Sequence, residues 1–357
     1  MFSKTKPSAL VFDWGNTLMK ELAEFDDLNL PMVEWPRVEA VPGIESALAS
    51  LKSKYRIFLG TNAQQSTADQ VRQALKRLNL DMYFEKIFTF HETHARKPET
   101  AFFRAIERMN GEFRDQMVMI GDLYDWDISG AKLAGWKAVW YNPENQPCPG
   151  CLPFHDIEIN DMVQLPVALE QPLLPEIPTC LLWLQQNGAS AHLMTHVQQV
   201  AAIAYALAVW LRAAGMDVNP ILAHRGGLLH DLAKASKHEA GTDHGQAAGA
   251  LLRQKGEPAL AEIADHHMLF TLMDEARTPR TWEQKLVYYA DKLVEKNELV
   301  TVDERLSGLQ ERYNIDSGIL LSALTPRIKA LEAEICAPLD LTPGLLHQRL
   351  FDTFSGR

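Results

Sequence analysis

Only four cysteines occur in 357 residues, too few and too scattered for a disulfide framework, which points to a reducing compartment. Positive charge is also short: 35 Lys and Arg stand against 46 Asp and Glu, a formal charge of −11. A long nucleic-acid footprint needs a basic face, so the charge argues against that partner. It does not argue against a nucleotide, because phosphate sites are local. No 18-residue apolar span is found, and the start Met-Phe-Ser-Lys-Thr-Lys-Pro has no signal-peptide pattern. The expectation is a soluble, cytoplasmic chain with no membrane partner and with its oligomeric state open. The length suggests two domains of ordinary size, and 46% hydrophobic residues suffice for packed cores.

Histidine is concentrated rather than spread. Eight of the twelve lie between His192 and His267, where an even distribution would place about two or three. In their midst is Gly226-Gly227-Leu228-Leu229-His230-Asp231-Leu232-Ala233-Lys234. Adjacent residues on a helix point about 100° apart, so His230 and Asp231 reach one ion only from a helix edge. They are half of a site, completed from other helices by candidates among His196, His244, His266, His267 and Asp291. A lone histidine is most often a surface or satisfied core group. A whole constellation that interrupts buried faces is not, because a carboxylate such as Asp291, after Val287-Tyr288-Tyr289-Ala290, is costly to bury unless paired or bound to metal.

The order H…HD…H…HH…D resembles the HD-domain superfamily of metal-dependent phosphohydrolases over roughly residues 190 to 300. The resemblance implies four shared metal ligands, His196, His230, Asp231 and Asp291. His244, in His-Gly-Gln-Ala-Ala-Gly, and His266 match the extra histidines of two-metal subfamilies. That arrangement looks most like the bacterial HD-type hydrolases of diadenosine tetraphosphate. His267 is the less favoured of the histidine pair. By the same analogy Asp231 bridges the metals. Imidazoles with carboxylates suit Fe, Mn, Co or Ni better than Mg. Lys234, Lys292 and, more weakly, Arg277 and Arg280 are candidates to face substrate phosphates. The substrate expected by analogy is a nucleotide or dinucleoside polyphosphate.

The first half has a different texture. Ala9-Leu10-Val11-Phe12, Tyr55 to Gly60 and Met117 to Gly121 are short, β-rich apolar runs, each ending in polar residues. Helical patterns at 43–54, 66–78 and 99–109 separate them. Such alternation implies a parallel, doubly wound sheet with ligands at the carboxyl ends of its strands. The polar clusters are Asp13 to Leu18, Thr61-Asn62, Lys97 at a helix start, and Asp122 with Asp127. Carboxylates suit a hard Mg²⁺ ion, and a lysine offsets charge on transferring oxygens. In order, these clusters resemble the four motifs of the haloacid dehalogenase-like superfamily over roughly residues 8 to 165. The resemblance implies Asp13 as nucleophile, Thr61 and Lys97 on the phosphoryl group, and Mg²⁺ held by Asp13, Asp122 and Asp127.

One departure matters. Phosphatases of that superfamily carry a second aspartate two residues after the nucleophile, where this chain has Gly15. General acid–base help of that kind is typically worth roughly 10²–10⁴-fold in rate. The expectation is therefore weak, altered or lost phosphatase activity, with Gly15→Asp restoring the missing group unless a positive φ forbids it. Only about two dozen residues separate Leu18 from Gly43, enough for a minimal cap.

Between Asn142 and Cys180 lie eight of the nineteen prolines. Cys148-Pro149-Gly150-Cys151 reads as a turn, since no second cysteine pair completes a zinc site. The predicted division is a Rossmannoid α/β domain over 1–165, a linker over 166–182 and an all-α domain over 183–357. In the latter, helices are predicted over 191–214, from a cap at Asn219 to about Lys234 carrying the doublet, and over 244–255, 258–267, 282–299 and 316–334. The last is predicted to kink or break at Pro326. The functional reading is a phosphohydrolase acting through its helical domain. The alternatives are a first domain that senses a phosphorylated ligand, or a phosphomonoesterase acting on nucleotide or sugar phosphates.

Overall fold

The computed structural model describes residues 7–28, 30–236, 241–312 and 316–355. The chain divides into two compact units, 1–144 with 154–173, and 145–153 with 174–357.

In the first unit β1 (Ala9–Phe12), β2 (Arg56–Gly60), β3 (Lys86–Phe88), β4 (Met117–Gly121), β5 (Lys137–Tyr141) and β6 (Ile157–Ile159) form one sheet. Its order is β3-β2-β1-β4-β5-β6 and every pairing is parallel. Parallel strands carry helices on both faces and so read as continuous apolar runs. All four residues of β1 and all five of β4 are buried. Successive strands are added on one side of β1 up to β3 and on its other side from β4 onward, and that reversal of strand order between β1 and β4 is the switch point at which such folds open a crevice. Helices α1 (Ile44–Leu51), α2 (Ala68–Arg77), α3 (Thr100–Asn110) and α4 (Ser129–Ala134) alternate with the strands. The three predicted strands stand, β6 falls on Asp156-Ile157-Glu158-Ile159, a run that reads as a last strand of this domain, and β3 and β5 are additional. Three-residue β3 is too short for a periodic signature, and β5 is buried along four of its five residues, which leaves no alternation to read.

The second unit is helical: α5 (Ile177–Gln186), α6 (Ala191–Ala213), α7 (Pro220–Leu229), α8 (His244–Gln254), α9 (Pro258–His266), α10 (Trp282–Lys292), α11 (Val302–Arg312), α12 (Asp316–Cys336) and α13 (Pro343–Ser355). Asn219 caps α7 through Leu222 N–H, with Pro220 at the first position. The close packing of α7 on α6 depends on Gly227, where a Cβ would lie 2.5 Å from Ala201 Cα.

Four expectations are corrected. The helix expected to reach Lys234 ends at Leu229, with His230 at its cap and Asp231 in the turn beyond. The helix expected over 282–299 stops at Lys292 and is followed by a hairpin, Val294–Glu295 with Glu298–Leu299. Lys296 and Asn297 both have positive φ (50° and 66°), as a two-residue type I′ turn requires. Of the kink or break expected at Pro326, the break does not occur, since α12 runs through it. Finally, the 23-residue α6 contains an 18-residue window with a mean hydropathy of 1.2, long and apolar enough to cross a bilayer, although 72% of that window is buried.

Two candidate metal centres

The first centre grows from the carboxyl ends of β1, β2 and β4. Asp13 follows β1 directly, and its N–H still donates to Ile120 C=O (2.9 Å) before the chain leaves the sheet. Thr61 follows β2, with its N–H on Phe88 C=O (2.9 Å). Asp122 follows β4, and Asp127 sits in the helical turn Tyr124–Ile128. That turn folds back tightly over Gly121, where a Cβ would lie 2.3 Å from the Asp127 carboxylate. Asp13, Asp122 and Asp127 offer oxygens that all lie within 4.8 Å of one another.

Lys97 joins them. Its Nζ pairs with Asp13 and with Asp127 (2.6 Å), and it is buried. Its backbone is gripped on both sides by Asn62, which accepts from Lys97 N–H (2.8 Å) and donates to Lys97 C=O (3.0 Å). The Thr17 hydroxyl donates to Asp122 (3.0 Å). Burial, followed by the charge of Asp13, pushes Asp122 up to about 6. Burial likewise pushes Asp127 up to about 7, against the opposing charge of Lys97. Burial opposes charge on Lys97 too, but Asp127 and Asp13 together hold its pKa above the ordinary lysine value. Three crowded carboxylates with one lysine are short of positive charge, and a hard divalent cation fits that deficit.

Thr17, Asn62 and Gly121 were not singled out by sequence reasoning. They are polar or small neighbours of the motif residues, and only the folded geometry gives them a task. Gly15 has no positive φ, so the conformational objection to a side chain there falls away. The obstacle is occupancy: a Cβ at Gly15 would lie 2.4 Å from Glu21 Oε1.

The second centre is assembled by five segments. His196 projects from the amino-terminal half of α6, His230-Asp231 from the end of α7, His244 from the first position of α8, His267 from the end of α9 and Asp291 from α10. The start of α8 is fixed locally. Asp243 caps α8 by a capping box with Gln246 and is clamped by both guanidinium nitrogens of Arg277 (2.6 and 3.2 Å). Arg277 also binds Asp265 C=O through two donors (3.0 and 2.8 Å), so it holds the loop and is not presented to a substrate.

Asp231 stands in the middle. One group is His196, His230 and Asp231, and a second is Asp231, His244 and His267, each with ligand atoms within 4.8 Å. Asp231 Oδ1 is 3.1 Å from His244 Nε2 and 3.4 Å from His267 Nε2. Its Oδ2 is 3.3 Å from His230 Nε2 and 3.8 Å from His196 Nε2. Asp291 Oδ1 is 3.0 Å from His196 Nε2 and 3.7 Å from His230 Nε2. Yet His230 Nε2 and Asp231 Oδ1 are buried without an aligned hydrogen-bond partner. Orphaned buried polar atoms are costly, and a cation between them satisfies both.

The histidine tautomers agree. His230 Nδ1 lies 2.7 Å from Gly227 C=O and His267 Nδ1 lies 2.7 Å from Ala264 C=O. A carbonyl only accepts, so each Nδ1 carries a hydrogen; the His267 ring, kept neutral by burial, turns its Nε2 lone pair inward, the form a metal ligand takes, and the His230 ring takes that form when a cation displaces its second proton. Burial lowers His267 to about 4. For His230, burial acts the same way but is outweighed by Asp231 and Asp291, which hold it up at about 9. Burial would raise Asp231 and Asp291, but neighbouring positive charge keeps both well below the usual carboxylate range, from His230 for Asp231 and chiefly from Lys292 for Asp291.

The sequence reading favoured His266 over His267, and the placement reverses that preference. His266 belongs to neither group. Its Nδ1 is tied to Glu262 C=O (2.6 Å), and it lines a separate pocket of about 500 Å³ with Arg280 and Gln284. Lys234 remains at the edge of the centre, half-exposed and 2.6 Å from Asp231 Oδ2. Lys292 is buried and spends its donors on Asp291 (2.5 Å) and His267 C=O (3.2 Å), so it braces the centre rather than facing outward.

The geometry of both centres agrees with comparisons to known proteins. The haloacid dehalogenase-like hydrolase family matches residues 13–141, and the HD domain family matches residues 193–295. This chain is a haloacid dehalogenase-like hydrolase domain joined to an HD domain. An uncharacterised protein of Methanocaldococcus jannaschii is 30% identical over 138 residues, which cover 36% of this chain and 80% of that one. A pyrimidine 5′-nucleotidase of Streptococcus pneumoniae is 30% identical over 109 residues, 30% of this chain and 45% of that protein. Ribonuclease Y of Aquifex aeolicus is 38% identical over 110 residues, 30% of this chain and 18% of its own length. The chain thus spans less than half of the last two, and the activities in their names are theirs. Among solved structures, a haloacid dehalogenase-family hydrolase of Bacillus subtilis has 18% identity and a TM-score of 0.39, covering 47% of this chain and all of that one. Both domains are of hydrolase families, and the class of the protein is phosphate-ester hydrolase. The haloacid dehalogenase-like domain contributes the carboxylate centre, and the HD domain contributes the histidine–aspartate centre.

Proposed function

We propose that the HD domain is a two-metal phosphohydrolase acting on a nucleotide or dinucleoside polyphosphate. The observation that carries this is Asp231, a buried carboxylate shared by two histidine groups, with one oxygen lacking any hydrogen bond. His196, His230 and Asp291 would hold one ion, His244 and His267 the other, and Asp231 both. Mixed imidazole and carboxylate donors favour Fe, Mn, Co or Ni. Such a pair supplies a bound water of lowered pKa as the nucleophile. The chain's own residues do the rest. The carbonyls of Gly227 and Ala264 fix the ring tautomers, Lys292 holds Asp291 ionised, and Lys234 at the rim meets the phosphate charge of the substrate. The nucleotide class is supported by the resemblance of the ligand order to HD-type hydrolases of dinucleoside polyphosphates and by an acidic chain unsuited to a long nucleic acid.

The first domain we read as a Mg²⁺-dependent phosphatase of altered efficiency, with Asp13 as nucleophile, Asp122 and Asp127 beside it on the ion, and Thr61 and Lys97 on the phosphoryl oxygens. The second reading is that the protein as a whole is a phosphomonoesterase acting on nucleotide or sugar phosphates, favoured by the nucleotidase among the relatives of the first domain. We place the protein in the cytoplasm, on its four free cysteines.

The test is metal analysis of the full chain together with hydrolysis of dinucleoside tetraphosphates and of nucleoside mono-, di- and triphosphates. Asp231→Ala is expected to abolish bound transition metal and the polyphosphate activity, and Asp13→Asn to abolish only the activity of the first domain. Full polyphosphate turnover by Asp231→Ala would refute the assignment.

A further inference from the structure

Gly15 leaves the first site without the aspartate that handles protons, but the space is not empty. The chain turns sharply after Trp14, with Leu18 and Met19 N–H both donating to Trp14 C=O (3.0 Å each) and Asn16 N–H to Met19 C=O (2.7 Å). The turn carries the chain back over Gly15, which pairs with Met19 in an isolated bridge. Glu21 is thereby returned to the position that a side chain at residue 15 would fill. Its Oε1 lies 2.4 Å, and its carboxyl carbon 3.2 Å, from where the Gly15 Cβ would be.

The carboxylate is also held there. Asn16, in the left-handed region at φ 49°, donates from Nδ2 to Glu21 Oε2 (3.2 Å) and accepts from Glu21 N–H at Oδ1 (2.9 Å). The amide grips one oxygen and leaves the other directed at Gly15. The charge of Glu21 is felt at Asp122, one of the three clustered carboxylates.

We propose that Glu21 is the general acid and base of the first site, supplied from a later turn of the chain in place of the residue absent at Gly15. The inference rests on the reading of that site as an aspartyl-phosphate-forming phosphatase. In the first step an Asp13 oxygen bonds to phosphorus as the ester P–O bond breaks, and the Glu21 carboxylic acid gives its proton to the leaving oxygen, releasing the alcohol. In the second, the Glu21 carboxylate takes a proton from water as the water oxygen bonds to phosphorus and the aspartyl O–P bond breaks. Inorganic phosphate leaves and Glu21 is again an acid. A longer side chain from a separate turn thus reaches the place of a shorter one from the motif itself. Gly15 is then the residue that makes room for it.

The experiment uses the full chain with Mg²⁺ and two probes, glycerol 2-phosphate and p-nitrophenyl phosphate, counting only turnover that Asp13→Asn removes. General acid–base loss is typically worth roughly 10²–10⁴-fold. Glu21→Gln should lower kcat for glycerol 2-phosphate by at least about 10²-fold with little change in KM. With p-nitrophenyl phosphate, whose leaving group needs little protonation, it should give a burst of nitrophenol equal to the enzyme and then stall as aspartyl-phosphate. Adding Gly15→Asp to Glu21→Ala should recover alkyl-phosphate turnover, because the space is then vacated. Asp13-dependent alkyl-phosphate turnover unchanged in Glu21→Gln overturns the role of Glu21 alone. Equal losses on both probes without a burst overturn it as well. Absence of any Asp13-dependent turnover or phosphorylated Asp13 in the unmodified chain overturns the reading of the site itself, and Glu21 with it.

Discussion

The two glycines before the His-Asp doublet make a sharp differential prediction. Replace each by alanine. On α7, alanine should gain about 1 kcal/mol over glycine from helix propensity alone. At Gly227 the new Cβ would lie 2.5 Å from Ala201 Cα and 2.8 Å from Ala201 N. Carbon pairs prefer about 3.5–4.0 Å, so α6 and α7 must separate by about 1 Å. Both obstructing atoms are backbone and cannot rotate away. Overpacking of that kind costs about 1–3 kcal/mol, and the opened interface forfeits part of its dispersion, so the net effect is a destabilisation of about 1–3 kcal/mol. At Gly226 the Cβ would meet only side-chain atoms, Ile263 Cδ1 (2.7 Å), a terminal methyl that can turn away, and Cγ2 (2.9 Å), which moves with χ1, so no backbone need separate. There the cost and the propensity gain roughly cancel.

The same displacement reaches the metal centre, because His230 Nδ1 is bonded to Gly227 C=O and His196 lies on the helix being pushed away. Disturbing groups that orient ligands typically costs about 10–100-fold in metal affinity. Calorimetry of the full chain should place the Gly227→Ala transition of the helical unit lower by roughly 2–12 °C, at about 2–4 °C per kcal/mol for a unit of this size. Metal titration should show the affinity loss, while Gly226→Ala stays near the unmodified protein in both. A Gly227→Ala protein that melts and binds metal as the parent does, or a Gly226→Ala protein that suffers more, would refute the close-approach argument.

Elemental analysis should find two transition-metal ions per chain, falling to one in His244→Ala and remaining two in His266→Ala, whose ring turns away from the centre; equal effects of the two changes would count against the placement. Tyr289→Phe should destabilise the helical unit by about 1.5–3 kcal/mol in denaturant titration, because the Tyr289 hydroxyl donates to the buried Glu332 carboxylate (3.0 Å) and leaves it short of a partner. Burial pushes the Cys180 thiol up to about 12, so it should resist thiol reagents at pH 8 until the chain unfolds. An acid with its folded pKa raised above the unfolded value of about 8.5 contributes stability that is intact below that value. That contribution should be lost progressively as pH climbs from about 9 towards 12, and Cys180→Ala should flatten this alkaline decline in melting temperature; a decline unchanged by the substitution would refute the cause.

Much of the molecule was legible from local chemistry. Continuous apolar runs ending in Asp13, Thr61 and Asp122 identify strands of a parallel sheet and the edge where their polar residues gather, because side-chain burial on two faces leaves no alternation to write. Histidines and an aspartate on otherwise apolar helices mark a buried ligand set, because solvation would not tolerate them singly. What the sequence could not decide is which way each ring or carboxylate turns. His266 and His267 are neighbours in sequence, yet only the end of α9, with Ala264 C=O taking the His267 Nδ1 hydrogen, aims His267 at Asp231 and His266 elsewhere. Lys292 beside Asp291 and Arg277 before α10 read as phosphate ligands until packing commits their donors to the protein itself. Glu21 is invisible by spacing, since its place over Gly15 comes from a turn closed by backbone hydrogen bonds. Composition and periodicity set which groups must be buried together, and the directions in which they face are set by helix ends, caps and close contacts that exist only once the chain has folded.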